Sequence, residues 1–410
     1  MQGPFQNMNK HRLNKLIIDS DEMHPLFNKD DIVYYQSTPS KSLKVNDLVV
    51  IKTSGSVSVK RILYTHKNSL VVRADNEQRS QVVPKNGSVI GKITSATAGY
   101  SYIKQSGIFL KEIRIISNLF HRKGINYVFL KGLPLHLYYE KTFPQRLYYD
   151  CDLLIDRIHY CKTEKILYSM GYKKVNFAIN SLKINRRPKE TVEESYSKLI
   201  NDINIIFDVH FCLNLFIRNL GHLETIYPQK LLTRLTADML NSKKIIAIQN
   251  SRFPILTAPY LIIYLALHFF HHNFHSAFRL EFLDKIIRRS IIDWKKETEI
   301  IKYYRLQNFV YPTFILLKKH YNTPFPQKFL SDLKPSNLYT CTLLHLDKIN
   351  IFNEESREMA AITRFKYLFL FSPIPLWKRC LVFLDRRVIY SILWVVRRRL
   401  LSAFKMLPRS

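Results

Sequence analysis

Residues 150–155 read Asp150-Cys151-Asp152-Leu153-Leu154-Ile155, with two aspartates two positions apart at the start of an apolar run. A short apolar run of this kind predicts a buried β-strand. Because successive side chains of a strand point to opposite faces, we expect Asp150 and Asp152 on the same face, close together. Carboxylates at such a distance repel each other strongly unless a divalent cation or a proton lies between them.

A third aspartate, Asp208, lies in the apolar run Ile203 to Phe211, which predicts a second strand. A carboxylate inside a mostly buried strand is costly unless it is paired or bound to metal. Three carboxylates on two neighbouring strands could hold Mg²⁺ ions, which would neutralise a nucleoside triphosphate, activate an attacking hydroxyl and stabilise the leaving pyrophosphate. The alternative is three ordinary solvated or ion-paired carboxylates, because an isolated Asp-x-Asp is common in surface loops.

Motifs on both sides of these aspartates resemble the uncharacterised nucleotidyltransferase family of the polymerase-β superfamily. The pattern of that family is L-K-G…R-x-x-x-D-x-D-L-L…G-Y…D-V-H. The resemblance covers roughly residues 105 to 400, and it continues into a helical tail. The matching stretches are Leu130-Lys131-Gly132, Tyr138, Arg146 to Leu154, Gly171-Tyr172, Phe207 to His210, Leu265 to His268 and Leu283-Asp284.

The resemblance implies an enzyme that transfers a nucleotidyl group from a nucleoside triphosphate to an acceptor hydroxyl. It implies that Asp150 and Asp152 bind Mg²⁺ or Mn²⁺, and that Asp208 completes the metal-binding set and helps to activate the acceptor hydroxyl. The superfamily's usual Gly-Gly/Ser turn is replaced here by Lys131-Gly132, so phosphate binding falls to the Lys131 side chain and the Gly132 backbone. Arg146 is implied as a further phosphate contact.

Four histidines, His268, His271, His272 and His275, have the spacing of neighbours on one helix face. A metal cluster is one interpretation, but zinc ligands are usually drawn from separate elements. The favoured interpretation is a partly buried family helix that at most lines the cleft. Asp284 is expected to form a salt bridge rather than to act in catalysis.

The pattern around the motifs predicts an α+β layout. Helical periodicity runs from Ser106 to Gly124, a strand is predicted at Tyr127–Leu130, and helices are predicted at Leu133–Tyr139 and up to Met170. Residues 183–197, rich in Glu, Lys and Arg, predict a solvated loop. The apolar stretch from Pro254 to Phe270 is at the short edge of a membrane span and predicts a buried core helix instead.

Residues 24–93 predict a small all-β domain, because short runs of β-branched and aromatic residues alternate with turn-forming sequences. Residues 22–92 also resemble the signal-peptidase/SOS-repressor peptidase clan in the order of their motifs. In that clan a serine is the nucleophile, and the lysine of a Lys-Arg strand is its general base. Lys60 matches that lysine, whereas Glu22 stands where the serine is expected.

A glutamate at that position cannot form an acyl-enzyme, and we expect Glu22 to form an ion pair with Lys60. The resemblance therefore implies a peptidase-like fold that has lost proteolysis, with peptide binding or dimerisation as retained roles. Ser20 would need a shift of register to serve as the nucleophile. A Ser/Lys-type protease remains the alternative enzyme, and a non-catalytic binding or regulatory fusion is the alternative to both.

Composition sets limits on the class of protein. The chain has 410 residues, enough for two or three domains, and a formal net charge of +31. Such an excess favours polyanionic partners, although a lineage bias towards lysine is an alternative explanation. Five scattered cysteines without Cys-x-x-Cys spacing and an N-terminus without a long apolar segment predict a cytoplasmic protein.

Together these observations predict three domains. Residues 1–98 form the peptidase-like all-β domain, residues 105–250 the nucleotidyltransferase core, and residues 251–410 a helical domain with a basic tail. In the tail, residues 378–409 contain nine Lys or Arg and one acidic residue, Asp385, among apolar side chains. That pattern fits peripheral contact with an anionic membrane, contact with RNA phosphates, or helices packed on the catalytic domain. The acceptor is predicted to be an RNA such as a tRNA end, a small molecule or a protein.

Overall fold

A computed structural model describes residues 14–24, 26–27, 29–39, 42–53, 55–96, 101–141, 148, 150–175, 192–201, 203–213, 222–335, 349–353, 357–390 and 392–393. The chain divides into two compact units. One consists chiefly of the residues up to Ser106, and the other chiefly of the residues from Gly107 onward. The architecture is mixed α and β, with an antiparallel sheet in the first unit and a second sheet with many helices in the other.

The first unit contains a seven-stranded sheet in the order β1-β2-β7-β3-β4-β5-β6, in which every neighbouring pair is antiparallel. Its β-branched strands bury apolar side chains on both faces: Val50 and Val59 belong to one core cluster, whereas Val49 and Ile62 belong to another. The all-β expectation for this region is confirmed. The elements are β1 (Asn14–Ile17), β2 (Ile32–Gln36), β3 (Leu48–Thr53), β4 (Ser56–Thr65), β5 (Ser69–Arg73), β6 (Gln81–Pro84), the single turn α1 (Lys85–Ser88) and β7 (Val89–Ala96).

The second unit has its own seven-stranded sheet, in the order β10-β11-β12-β9-β8-β14-β13. It is mixed, because β12 runs parallel to β9 and β14 parallel to β8, whereas the other pairs are antiparallel. The strands are β8 (Tyr127–Phe129), β9 (Asp150–Ile155), β10 (Lys173–Lys174), β11 (Glu193–Ile200), β12 (Ile203–His210), β13 (Lys243–Ile248) and β14 (Ser251–Leu256).

Helices surround this sheet and continue to the end of the described chain. The predicted helical periodicity after Ser106 is confirmed, although the helix begins earlier, at Ser101: Phe109, Ile113, Ile116 and Phe120 are fully buried, and the ring of Phe109 stacks on that of Phe207 with centroids 6.3 Å apart. The helices are α2 (Ser101–Arg122), α3 (Leu133–Glu140), α4 (Tyr160–Ser169), α5 (Gln229–Asn241), α6 (Ala258–His271), α7 (Ala277–Arg289), α8 (Trp294–Tyr303), α9 (Gln307–Tyr321), α10 (Gln327–Leu333), α11 (Arg357–Phe371) and α12 (Leu376–Cys380).

Two predictions of secondary structure are wrong in part. Residues 183–197 are predicted as a loop, but β11 begins at Glu193, where the chain pairs with β12 and buries Glu194, Ser195 and Tyr196 in succession; residues 183–191 lie outside the described residues. The stretch from Pro254 to Phe270 is not one helix, since β14 continues to Leu256 and α6 begins at Ala258. Pro259, in the first turn of α6, is the local signal for that start, because proline is tolerated where the backbone N–H has no intrahelical partner.

None of the helices in the described part of the chain is both long enough and apolar enough to cross a membrane.

Candidate active site

Strand pairing brings the three aspartates together. In the parallel pair of β9 and β12, Asp208 lies directly opposite Asp152, and Asp150 precedes Asp152 by two residues on the same face. Each carboxylate offers one oxygen atom, and these three atoms lie within 4.8 Å of one another. Asp152 is buried, whereas Asp150 and Asp208 are partly exposed. The predicted proximity of Asp150 and Asp152 is therefore present, and the strand register adds Asp208 to them.

Lys131 follows β8 and faces the same cluster. Its Nζ lies 3.0 Å from Asp152 Oδ2 and 3.5 Å from Asp150 Oδ2. Gly132 precedes α3 with a φ of 99° and a ψ of −160°, a conformation that is strained for any residue with a Cβ. The glycine therefore turns the chain from the end of β8 into α3, and its backbone remains beside Asp150, whose carbonyl oxygen lies 3.5 Å from the position of an added Cβ.

His210 connects the cluster to a fourth carboxylate. Its Nε2 lies 3.1 Å from Asp152 Oδ1, and its Nδ1 lies 3.8 Å from Glu193 Oε2. Because a carboxylate oxygen can only accept, Nε2 is the donor in the contact with Asp152. The position of His210 two residues after Asp208 in the same strand was the signal for this role, since it places both side chains on one face. Glu193 gave no such signal, because its segment was predicted as a loop.

The contact of Ser195 with the site was also not predicted from the sequence. This serine lies opposite Asp208 in the antiparallel pair of β11 and β12, and its hydroxyl donates a hydrogen bond to Asp208 Oδ1. A serine in a segment rich in charged residues carries no local sign of such a contact. The bond restrains the carboxylate of Asp208 and leaves its other oxygen for a ligand.

The three aspartates differ in protonation. Burial and the charge of Asp152 raise the pKa of Asp208 to about 6, although the hydrogen bond from Ser195 lowers it. Burial and the charge of Asp152 also raise the pKa of Asp150. Burial alone would raise the pKa of Asp152 too, but the charge of Lys131 and the hydrogen bond from His210 outweigh it, so that this pKa is lowered. Asp152 is therefore the most persistent anion of the three.

For the two basic groups, burial and the neighbouring carboxylates change the pKa in opposite directions. Burial lowers the pKa of Lys131, but the charges of Asp152 and Asp150 more than compensate and raise it. Burial likewise opposes the charged form of His210, but Glu193 and Asp152 raise its pKa. The charge of Arg279, at the start of α7, also acts on Lys131 and Asp150. The sequence did not single out Arg279.

Asp152, Asp208 and Lys131 line a cavity of about 150 Å³, which residues of α6 also line. The ring of His268 stacks on that of Tyr264, with centroids 6.0 Å apart, and its centroid lies 4.7 Å from that of His272. Burial holds the pKa of His268, His271 and His272 well below the usual range, so these imidazoles are neutral. All three histidines line the cavity, as the favoured interpretation of the sequence expected.

The four histidines do not share one helix face. Helix α6 ends at His271, because Asn273 and Phe274 adopt positive φ values of 54° and 62°. His275 lies beyond the helix, where its Nδ1 is 3.0 Å from the carbonyl oxygen of Asn350. Among the described residues, the aspartate triad is the group whose ligand atoms converge on one point.

In the first unit, Lys60 has the predicted ion pair with Glu22. Its Nζ lies 3.0 Å from Glu22 Oε2, and also 2.7 Å from Oε1 of Glu77, which the sequence did not single out. Glu77 in turn accepts a hydrogen bond from the backbone N–H of Ala74, at 3.2 Å. A cavity beside Glu22 and Ser20 measures only about 10 Å³.

Two further residues singled out by the sequence are Asp284 and Arg146. Asp284 forms the expected salt bridge, because both of its oxygens accept from Arg288 Nε, at 3.0 and 2.8 Å. Arg146 lies outside the described residues, as do residues 394–409 of the basic tail.

The donor set of the triad fits a divalent cation. Mg²⁺ and Mn²⁺ prefer carboxylate oxygens, and the three oxygens are close enough to share an ion. Asp150, Asp152 and Asp208 are the residues that would hold it.

The family described as "Uncharacterised nucleotidyltransferase" matches residues 80–322, which is more than half of the chain. The chain belongs to this family, and it is therefore a nucleotidyltransferase in its general class.

Two solved structures are similar to the chain. An antigenic nucleotidyltransferase-like protein from Paracoccidioides brasiliensis has 12% identity and a TM-score of 0.36, over 56% of this chain and 94% of that one. The lincosamide antibiotic adenylyltransferase LnuA, bound to lincomycin, has 16% identity and a TM-score of 0.26, over 43% of this chain and 96% of that one. A comparison with curated proteins found no match.

Proposed function

We propose that the second unit transfers a nucleotidyl group from a nucleoside triphosphate to an acceptor hydroxyl. The observation that carries this proposal is the convergence of the Asp150, Asp152 and Asp208 oxygens within 4.8 Å of one another, beside the Lys131 ammonium. A bound Mg²⁺ or Mn²⁺ would supply charge neutralisation for the triphosphate and for the leaving pyrophosphate.

The chain's own groups have separate tasks in this proposal. Lys131 and the Gly132 backbone bind phosphate oxygens next to the carboxylates, with Arg146 assigned by resemblance and Arg279 adding positive charge. Asp208 accepts the proton of the acceptor hydroxyl, since the hydrogen bond from Ser195 restrains one of its oxygens and leaves the carboxylate oriented beside the cavity. Transfer then forms a bond between the acceptor oxygen and the α-phosphorus and breaks the bond to pyrophosphate.

The acceptor approaches along the wall formed by Tyr264 and His268. Neutral imidazoles and a tyrosine offer hydrogen bonds and ring faces without adding charge. The net charge of +31 favours an RNA such as a tRNA end, and a small molecule or a protein are the other acceptors that the proposal admits.

The test is incubation of the full chain with each α-labelled nucleoside triphosphate, Mg²⁺ and a cell extract separated into RNA, protein and small-molecule fractions. We expect label in one fraction with the wild type and none with Asp150→Asn/Asp152→Asn. The matched control is Asp284→Asn, which changes an aspartate of the same unit that pairs with Arg288. The absence of aspartate-dependent label in every fraction would refute the transferase.

For the first unit we propose a peptidase-like fold without proteolysis. Lys60 is engaged by Glu22 and Glu77, whereas a lysine that acts as a general base must be neutral and able to accept a proton. Glu22 occupies the position of the nucleophile. Mass spectrometry of secretory precursors incubated with wild type and Lys60→Ala tests this, and cleavage that depends on Lys60 would overturn it.

A further inference from the structure

The exposed apolar side chains of the described chain are concentrated near its C-terminal end. Nine of the nineteen exposed large hydrophobic side chains lie between Leu376 and Leu393. Solvated apolar groups scattered singly need no explanation, but their concentration in one segment indicates a surface that contacts a partner. We call this region the basic apolar surface. It consists of the exposed basic residues Lys378 and Arg386 and the following exposed apolar residues: Leu376, Trp377, Leu381, Leu384, Ile389 and Leu393.

This surface belongs to a segment that is anchored on its other side. Val382 and Val388 are almost completely buried. The buried guanidinium of Arg379 donates to the carbonyl oxygens of Phe369, at 2.9 Å, and Leu370, at 3.1 Å. The carbonyls belong to the last turn of α11, where such groups lack intrahelical partners. Because Val382, Val388 and Arg379 fix this segment against the rest of the unit, the exposed apolar side chains cannot turn inward without breaking these contacts.

The net charge of the segment is positive. Lys378 and Arg386 are exposed, and the acidic residue of the segment, Asp385, is paired with Arg387 at 3.0 and 2.5 Å. The sequence that follows contains Arg397-Arg398-Arg399, Lys405 and Arg409 without an acidic residue. The basic apolar surface is therefore complementary to a partner that is both anionic and apolar.

We propose that the basic apolar surface binds the headgroup region of an anionic membrane, with Trp377 and the leucines inserted between lipids. Leucine and tryptophan beside lysine and arginine are the side chains of segments that lie in a lipid interface. RNA phosphates would use the basic residues alone, because aliphatic side chains contribute little to phosphate or base contacts. This surface is separate from the aspartate site, so the proposal holds whether or not nucleotidyl transfer is observed.

The test is flotation of the purified full chain with phosphatidylglycerol vesicles and with phosphatidylcholine vesicles. We expect binding to the anionic vesicles, and weakening in high salt because screening removes the electrostatic contribution. Trp377→Ser/Leu384→Ser should weaken binding at least tenfold, on the scale of two large apolar side chains kept in water. The matched control is Ile291→Ser, since Ile291 is fully exposed elsewhere in the same unit.

A second measurement locates the contact. In Trp294→Phe/Trp394→Phe, Trp377 is the remaining tryptophan of the chain, and its emission should shift to shorter wavelength on anionic vesicles. Trp294 packs against Phe329 with ring centroids 4.6 Å apart, so phenylalanine preserves that contact. Equal binding by wild type and Trp377→Ser/Leu384→Ser, no binding to anionic vesicles, or variant-sensitive binding to RNA alone would each overturn the proposal.

Discussion

Lys131 and Lys60 each lie between carboxylates, yet their surroundings differ. Lys60 contacts Glu22 and Glu77 at 3.0 and 2.7 Å, beside a cavity of about 10 Å³. Lys131 contacts Asp152 and Asp150 at 3.0 and 3.5 Å, beside a cavity of about 150 Å³ that a further carboxylate, Asp208, also lines. A lysine between carboxylates is therefore not by itself a site. The Lys131 cluster differs from the Lys60 cluster because it has a third carboxylate nearby and a cavity large enough for a ligand.

The largest expected difference between the clusters is in activity. Asp208→Asn should reduce nucleotidyl transfer by roughly a thousandfold, because it removes a charge at the point where the acceptor proton is lost. Glu77→Gln, the corresponding loss of one carboxylate beside Lys60, should leave transfer unchanged. The measurement is single-turnover transfer of labelled nucleotide. Equal rates for both variants would contradict the distinction between the clusters.

A smaller effect is expected at the residue that holds Asp152. His210→Ala should weaken Mn²⁺ binding by about ten- to hundredfold, the usual range for residues that orient a metal ligand. His210→Gln should restore part of the affinity, since its amide can donate to Asp152 Oδ1 as Nε2 does. Calorimetric titration with Mn²⁺ measures both. An affinity that does not depend on residue 210 would leave the histidine with a structural role only.

In the first unit the effect should be on stability. Lys60→Met removes a buried ammonium from two carboxylates that are themselves partly exposed. Because water can solvate those carboxylates, we expect a loss of only about 2 kcal/mol in the free energy of unfolding. Urea denaturation measures the loss, and Lys52→Met, on an exposed position of β3, is the control. A loss as small as that of the control would mean that the Lys60 cluster does not stabilise its unit.

The smallest effect concerns a buried carboxylate, Glu297, that has no ion pair with any described residue. The side chain of Glu297, in α8, is completely buried, and neither of its carboxylate oxygens accepts a hydrogen bond from the described residues. Burial raises its pKa well above the ordinary value of 4.5, the opposite of the lowered pKa of Asp152 beside Lys131. The folded chain therefore retains a proton that the unfolded chain releases, and stability falls as the pH rises above 4.5.

Glu297→Gln should remove this dependence, because its amide does not titrate. The variant should gain about 1 kcal/mol over the wild type at neutral pH, with no gain below the pKa of the unfolded state. Thermal unfolding at a series of pH values measures the difference. A gain that is the same at every pH would indicate a change of packing instead of a proton.

Local patterns in the sequence predicted the features of the candidate site that depend on residues close together in the chain. The spacing of Asp150 and Asp152 in an apolar strand placed them on one face, because side-chain alternation is a local property. The helical spacing from Phe109 to Phe120 predicted α2 for the same reason. Glu193 and Ser195 could not be predicted, since their contacts with His210 and Asp208 arise only from the pairing of β11 with β12.

The boundary at Leu256 was missed for a different reason. A continuous apolar run has the same composition in a buried strand and in a buried helix, so the run from Pro254 to Phe270 does not distinguish them by periodicity. Pairing of β14 with β8 and β13 decided in favour of a strand for its first residues.

Local sequence accounts for the identity and spacing of the candidate site groups: the aspartate pair, Lys131-Gly132 and the buried strand that carries Asp208. The tertiary structure alone decided which groups meet. Parallel pairing set Asp208 opposite Asp152, antiparallel pairing added Ser195, and the end of α6 placed three histidines across the cavity. The reason is physical: alternation and helical periodicity act over a few residues, whereas strand register depends on burial between segments far apart in the chain.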